Sequence, residues 1–310
     1  GAQAVDSLGL RKFQDAVLAF QNKELISNGT VAVSIRNTQD GRDIFSANSN
    51  KSLPAASILK LVTTATAMEL LGASYRFQTH IEHDGSIQAD TLFGNIYLRG
   101  MGDPSLGSPR FPSKRNDLQE GIRAGMRKIG IKHIQGDIFI DESFFNGNAI
   151  ADTWLYEDLA QGYGTGVHAL NFNENQVRIK LKAGVSASDS VAIVGVYPAL
   201  AGLQIRNQIK IVEKPTNSRI RIYGMSQSQI DLQGELQVGS AHHIQAAMPN
   251  PGMYAIQFFR ESIDLDSVTF TKQIHTLPFH SDRHSIYVHP SPTLKELIRE
   301  TNWWSINLYA

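Results

Sequence analysis

The stretch Pro54-Ala-Ala-Ser-Ile-Leu-Lys-Leu-Val-Thr-Thr64 holds one charge, Lys60, in a run otherwise apolar or hydroxylic, and Ser57 stands three residues before it. The run continues to Leu71 with Glu69 as its only other charge, and Gly72 follows as a natural helix end. The pattern predicts a helix over about 55–71. Ile58, Leu59, Leu61, Val62, Ala65, Met68, Leu70 and Leu71 fall on every side of it, so it is expected to be buried all round. An enclosed lysine must pair or give up its proton, because desolvation disfavours the charged form. An uncharged lysine amine is a base. Positions three apart share a helix face, so Lys60 is expected to reach the Ser57 hydroxyl. The helix N-terminus offers free N–H groups where negative charge would develop. Serine, adjacent base and oxyanion donors are the parts of a covalent acyl-transfer site. The plainer reading makes Ser57 an N-cap and lets Lys60 snorkel to solvent.

Working outward, Asp6 to Leu25 predicts an amphipathic helix with Leu10, Phe13, Val17 and Leu18 on one face. Val31, Val33 and Ile35 alternate through a strand over Thr30–Arg36. Asp40-Gly41 signals a hairpin turn and Asp43–Ala47 the returning strand. Beyond Tyr75 the character changes to short alternating runs: Phe77–His83, Asn95–Arg99, Asp137–Asp141, Gln176–Leu181, Val191–Val196, Gln208–Glu213, Arg219–Tyr223 and Ile230–Leu236. Helical patterns interrupt them at Asp117–Ile129, Asn250–Ile263 and Trp154–Gln161. Thr293-Leu-Lys-Glu296 is a capping box that opens a last helix, and "WWSINLYA" reads as the start of another.

The chain has 310 residues, 42% apolar and 19% charged, with 29 basic and 29 acidic residues, which reads as globular and points away from nucleic acid or an anionic membrane as partner. No apolar stretch reaches the length of a transmembrane span. There is no cysteine, hence no disulfide, thiolate nucleophile or thiolate metal site. The opening Gly-Ala-Gln reads as a trimmed terminus from which an export leader would have been removed.

A serine–lysine spacing is one of three motifs of the penicillin-binding serine enzymes; the second is serine-x-asparagine. That pattern occurs twice, as Ser46-Ala-Asn48, too near Ser57 to form a separate wall, and as Ser305-Ile-Asn307. The chain resembles the D-alanyl-D-alanine carboxypeptidase/endopeptidase family, the low-molecular-mass class C penicillin-binding proteins. The resemblance runs from about residue 8 to the end and rests on ordered segments: "LPAASILKLVTTATAMELLG", "GNIYLRGMGDPSL", "GDIFIDESFFNG", "VHALNFNENQVRI", "NPGMYAIQFFRESI" and "SPTLKELIRETNWWSINLYA".

The resemblance implies an α+β fold. A transpeptidase-like domain, residues 1–74 with 290–310, is split by a mostly β insertion over 75–289. The insertion divides into about 75–150 with 240–289, and about 151–239. It implies that Ser57 attacks the penultimate D-alanine carbonyl of a peptidoglycan stem peptide, that Lys60 takes its proton, that Ser305 relays a proton to the departing D-alanine, and that Asn307 holds Lys60 and the substrate amide. It further implies inhibition by β-lactam antibiotics, no cofactor or metal, and a periplasmic or extracytoplasmic location. Relatives present an acid to the amino end of the stem peptide from a segment like "TWLYEDLAQGYG", which makes Glu157, with Trp154, the candidate substrate contact; an exposed helix with acids in its first turn is the plain alternative. The family's third motif, lysine-threonine-glycine, is not found, and the sequence reads as a truncated stretch. The rival functions are a β-lactamase or esterase on the same fold, and a non-catalytic peptidoglycan-binding homologue.

Three further patterns carry less. His80-Ile-Glu82-His83 supplies too few ligands on one strand face for a metal and is expected on a solvated strand. His242-His243 is expected at a strand end. Gly100-Met-Gly102-Asp103-Pro104 lacks the third glycine of a nucleotide fingerprint and predicts a turn.

Overall fold

The computed structural model describes residues 7–26, 28–216, 219–226, 228–263, 268–270 and 282–310. Asp6, the expected start of the first helix, and the opening Gly-Ala-Gln lie outside them. The chain divides into two compact units, Gly1–Ile58 and Leu59–Ala310.

The first unit contains α1 (Ser7–Gln21) and a hairpin of β1 (Val33–Arg36) and β2 (Asp43–Ala47). Val33 pairs with Ala47, and the register shifts at Ile35/Arg36. Asp40 accepts from the Arg42 backbone N–H, and Gly41 takes φ 71, the left-handed turn that Asp-Gly signalled. On α1 Val17 is buried and Leu10 half-buried; Phe13 meets Phe45 edge-on at 5.4 Å. Leu18 stays exposed, so the expected apolar face is only partly covered.

The second unit begins with α2 (Leu59–Leu71), ended by Gly72 at φ 84. Then follow β3 (Gln78–His83), β4 (Ser86–Gln88), β5 (Thr91–Phe93), β6 (Ile96–Gly100), α3 (Pro112–Lys128), β7 (His133–Gly136) and β8 (Ile138–Asp141). Next come β9 (Gln176–Lys182), β10 (Ala192–Tyr197), β11 (Gln204–Val212), β12 (Arg221–Ser226), β13 (Gln229–Gln237) and β14 (Ala241–Ala247). α4 (Pro251–Ser262), β15 (Val268–Phe270), β16 (His284–Pro290) and α5 (Leu294–Trp304) complete it. The architecture is α+β.

Two apolar cores organise these elements. The first lies among the sheets β16-β3-β6-β8 and β15-β7-β5-β4 and helices α3 and α4, around Ile81, Leu92, Ile96, Ile122, Ile134, Phe172 and Phe259. The second lies between β10-β9-β14 and β11-β13-β12. Its source is plain two-residue alternation: Val177, Ile179 and Leu181 on β9, and Ile230 and Leu232 on β13, are at most 1% exposed. β11 runs parallel to β13 over its whole length, from Gln204↔Gln229 to Val212↔Gln237.

Several expectations are corrected. α2 is not buried all round: Leu59, Leu61, Val62 and Leu70 are exposed, and Thr64 is its one buried residue, because the contact it makes with α5 covers a single face. Trp154–Gln161 forms successive turns instead of a helix; Asp158 N–H bonds Leu155 O at 2.9 Å and Gln161 N–H bonds Asp158 O at 3.0 Å, three-residue steps that do not propagate. The chain after α5 also turns instead of starting a helix. The strand carrying His80, Glu82 and His83 is not solvated. Glu82 and His83 are buried, and Glu82 pairs with Arg99 at 2.6 Å and with Arg283 at 3.6 Å. Arg283 also meets Asp141 at 2.6 Å. His242 and His243 lie near the start of β14, both exposed.

Gly121 and Gly125 stand one turn apart on α3, where β16 crosses. A Cβ on Gly121 would lie 2.1 Å from the Tyr287 ring and one on Gly125 2.5 Å from Ile286 O. Alanine at 125 is the better helix former by roughly 1 kcal/mol, yet Gly125→Ala should destabilise by about 1–3 kcal/mol through overpacking against backbone. A urea midpoint at or above wild type would refute this.

Asp103, in the predicted turn, is 2% exposed. Burial pushes its carboxyl up from 3.8 to about 6, although the Ser105 hydroxyl and backbone N–H donate to it. The folded state therefore holds the proton more tightly than the unfolded chain, and stability falls as pH rises through this window, by at most roughly 3 kcal/mol. Asp103→Asn should remove that dependence. The stability difference between variant and wild type should move in the variant's favour from pH 4 to pH 7; a pH-independent difference in denaturation would refute it.

Candidate active site

Ser57 is the middle residue of a short 3-10 turn, Ala56–Ile58, and is exposed; Ala56 ahead of it adopts φ 46. A left-handed alanine is uncommon, and such backbone is found where the surroundings or a function impose it. Lys60 is the second residue of α2 and is half-buried.

Two sets of hydrogen bonds place α5 against α2. The chain leaving α2 and the chain entering α5 run together: Lys295 N–H donates to Ala73 O at 3.1 Å, Leu294 N–H to Tyr75 O at 2.8 Å, and Ser291 N–H to Phe77 O at 2.9 Å. Further along, Asn302 Nδ2 donates to Thr64 Oγ1 at 3.2 Å. The start of α5 thus lies beside the end of α2, and its end beside the first turns of α2. The helices are antiparallel. Thr64 is one turn after Lys60, and Asn302 is one turn before Ser305, so the end of α5 that carries Ser305 is at the end of α2 that carries Lys60.

α5 opens with the predicted capping box: Glu296 N–H donates to Thr293 Oγ1, and Thr293 N–H to the Glu296 carboxylate. It ends at Ser305 in the left-handed conformation, φ 57 and ψ 41, with the Ser305 N–H on Thr301 O. Beyond it burial alternates. Ile306 and Leu308 are buried, while Ser305 and Asn307 are exposed. The apolar pair anchors the segment and turns the polar pair outward. Asn307 Nδ2 donates to the backbone carbonyl of Tyr163 at 2.9 Å, which leaves its Oδ1 to accept from another donor. Tyr163 is itself tied by its hydroxyl to Asp158 Oδ1 at 2.7 Å and receives Arg219 at 3.2 Å.

A cavity of about 300 Å³ opens here, lined by Ser305, Asn307, Trp304, Tyr163, Arg110 and Glu174 among others. Glu157 is exposed and lines a separate cavity of about 190 Å³ with Arg219, Arg221 and Tyr223; Gln161 borders both. Trp154 is half-buried. Glu157 therefore neighbours the cavity of Ser305 and Asn307 without walling it. Sequence reasoning missed Tyr163, whose contribution is a backbone carbonyl, and Arg110 and Glu174, which approach from remote segments. The one signal was the unusual Asn173-Glu174-Asn175 triplet. Among the described residues no group of three or more His, Asp or Glu side chains is placed to hold a metal, and no helix is long and apolar enough to cross a membrane.

The family model described as D-Ala-D-Ala carboxypeptidase 3 (S13) matches residues 14–310. A D-alanyl-D-alanine carboxypeptidase of Actinomadura sp. (strain R39) is 30% identical over 161 residues, 52% of this chain and 28% of that protein. The D-alanyl-D-alanine carboxypeptidase DacB of Haemophilus influenzae is 26% identical over 207 residues, 67% of this chain and 41% of that protein. A crystal structure of penicillin binding protein 4 (dacB) from Haemophilus influenzae matches with a TM-score of 0.74 at 22% identity, over 95% of this chain and 63% of that one, and shares its fold. The chain thus spans less than half the length of these two curated relatives.

The Thr64–Asn302 contact is expected to stabilise the helix pair. Asn302→Ala and Thr64→Val should each cost about 1 kcal/mol, and together less than the sum, since they share one interaction. Strict additivity in chemical denaturation would show that the contact contributes nothing.

Proposed function

Because the chain belongs to the D-Ala-D-Ala carboxypeptidase 3 (S13) family, we propose that it carries the nucleophile-bearing part of a serine D-Ala-D-Ala carboxypeptidase/endopeptidase acting on peptidoglycan stem peptides outside the cytoplasm. The observation that supports this most is the antiparallel placement of α5 on α2, with Lys60 and Ser305 at the same end of the pair. The insertion of 75–289 between the two motifs is part of the proposal, and the pairing of 73–77 with 291–295, which brings its two ends together, supports it.

The Ser57 oxygen adds to the carbonyl of the penultimate D-alanine and its proton passes to the Lys60 amine. The assignment of Ser57 rests on its spacing from Lys60. Free N–H groups at the start of the helix favour the negative charge that develops on the carbonyl oxygen. The carbon–nitrogen bond then breaks; the departing D-alanine takes a proton relayed through the Ser305 hydroxyl, and an acyl ester remains on Ser57. Water attacks the ester, its proton goes to the Lys60 amine, and the Ser57 hydroxyl is regenerated. Asn307 orients the substrate amide and the lysine, its own amide plane fixed by the Tyr163 carbonyl. Glu157 is assigned to the amino end of a stem peptide that extends past Gln161 into the second cavity. A strained four-membered β-lactam ring presents the same carbonyl, and the Haemophilus influenzae protein of the same fold has been solved with a β-lactam.

The full-length protein should form a penicilloyl ester on Ser57, seen as a single added penicillin mass and mapped by peptide digestion. Ser57→Ala should abolish it, and Lys60→Ala or Ser305→Ala should slow it by about 10²–10⁴-fold, the usual worth of a positioned proton-transfer group. An unmodified full-length protein after prolonged incubation would refute the reading.

A further inference from the structure

Asn173, Glu174 and Asn175 adopt φ 52, 59 and 51, three left-handed residues in succession, with ψ 21 at Glu174. Asparagine tolerates this region; glutamate has no such preference, and a run of three is not an ordinary turn. Neighbouring groups impose it. The Phe172 N–H donates to Asn175 Oδ1 at 2.9 Å, Asn175 Nδ2 donates to Gly166 O at 2.9 Å and to Asn171 Oδ1 at 2.7 Å, and Asn173 Nδ2 donates to Gln176 O at 2.9 Å. The Asn173 N–H is held by Leu106 O at 2.9 Å. The product of all this is one carboxylate, 5% exposed, set in the wall of the cavity that Ser305 and Asn307 share.

That carboxylate reaches both sides of the Ser305–Asn307 segment. After it, the Tyr309 hydroxyl donates to Glu174 Oε1 at 3.1 Å, and the Ser108 hydroxyl donates to the same oxygen at 2.5 Å. Before it, Arg110 Nε lies 3.0 Å from Glu174 Oε1; the same guanidinium lies 5.5 Å from the centre of the Trp304 ring and 3.8 Å from the Glu300 carboxylate on α5. Burial and the charge of Glu174 hold the Tyr309 hydroxyl well above its ordinary pKa, so it remains a donor. Backbone strain kept at such a point signals function more than packing.

We propose that Glu174 is a positioning residue for the Ser305–Asn307 segment, gripping it through Tyr309 on one side and through Arg110 and Trp304 on the other. It acts through these neighbours and not on the substrate. The proposal rests on the reading of Ser305 and Asn307 as groups that serve Ser57.

Glu174→Gln in the full-length protein keeps the side-chain volume and an acceptor for Tyr309 and Ser108 but removes the nearer of the two carboxylates beside Arg110, leaving Glu300. It should slow β-lactam acylation of Ser57 by about 10- to 100-fold, the scale of a misplaced catalytic group. The melting temperature serves to confirm that the variant is folded. In a Ser305→Ala, Asn307→Ala background the same change should add no further loss. A second readout needs no chemistry: with every tryptophan except Trp304 replaced by phenylalanine, acrylamide quenching of Trp304 should rise when Glu174→Gln is introduced. If wild type is acylated and the variant matches it in both rate and quenching, the proposal is overturned. An equal loss in the doubly substituted background overturns it too, by showing a structural effect. If wild type itself takes no β-lactam, the functional reading fails, and unchanged Trp304 quenching would then overturn the positioning role separately while increased quenching would support it.

Discussion

Asn302 donates its hydrogen bond to Thr64 across 238 residues of sequence. Together with the backbone bonds between 73–77 and 291–295, it fixes the direction of α5 on α2. Nothing local demands this. Each helix has its own signals, a closing glycine at 72 and a capping box at 293–296, but only the cross-links between them decide that the ends bearing Lys60 and Ser305 coincide. Were α5 reversed, Ser305 would sit at the far end of α2, about 18 Å away by helix rise. A polar contact thus supplies an alignment that apolar packing would leave less specified.

The segment beyond α5 shows how a flexible stretch is made rigid. Ile306 and Leu308 are sunk into the protein, Asn307 is tied to the Tyr163 carbonyl, and Tyr309 is tied to Glu174. Three anchors of different kinds hold it. The left-handed turn at 173–175 costs roughly 1–2 kcal/mol per residue, set against the hydrogen bonds its asparagines make.

The elements most legible in the sequence were those whose apolar period is regular. β2 and the closure of α2 fell where expected, and β3, β6, β8, β9, β10, β12, β13 and α4 fell within a few residues. α3 begins at Pro112, earlier than expected, because its first turn, Pro112 to Asn116, carries no apolar residue to reveal it. β4 and β5 are three residues long, too short for alternation to register, and β14 and β16 are rich in histidine and small residues. At the site, Lys60, Ser305 and Asn307 stood out as motif residues. Arg110, Tyr163 and Glu174 did not, because only the fold brings them to the cavity of Ser305 and Asn307: a guanidinium from one segment, a carbonyl from another, a carboxylate on an improbable turn. The expectation for α2 failed for a related reason. A run apolar on all faces states that cover is needed on all faces, but not which element supplies it, and α5 supplies one.

The long separation between α2 and α5 has a consequence for how the chain comes off the ribosome. α2 is made early, and Asn302 and Ser291 follow 238 residues after Thr64 and 214 after Phe77. At about 5–20 residues per second, the nascent helix waits on the order of ten to fifty seconds for its neighbour. Through that interval the Thr64 face of α2 stays uncovered on an unfinished protein, while the core between β10-β9-β14 and β11-β13-β12 has time to condense ahead of it. A chaperone that recognises uncovered helix faces would have an opportunity there.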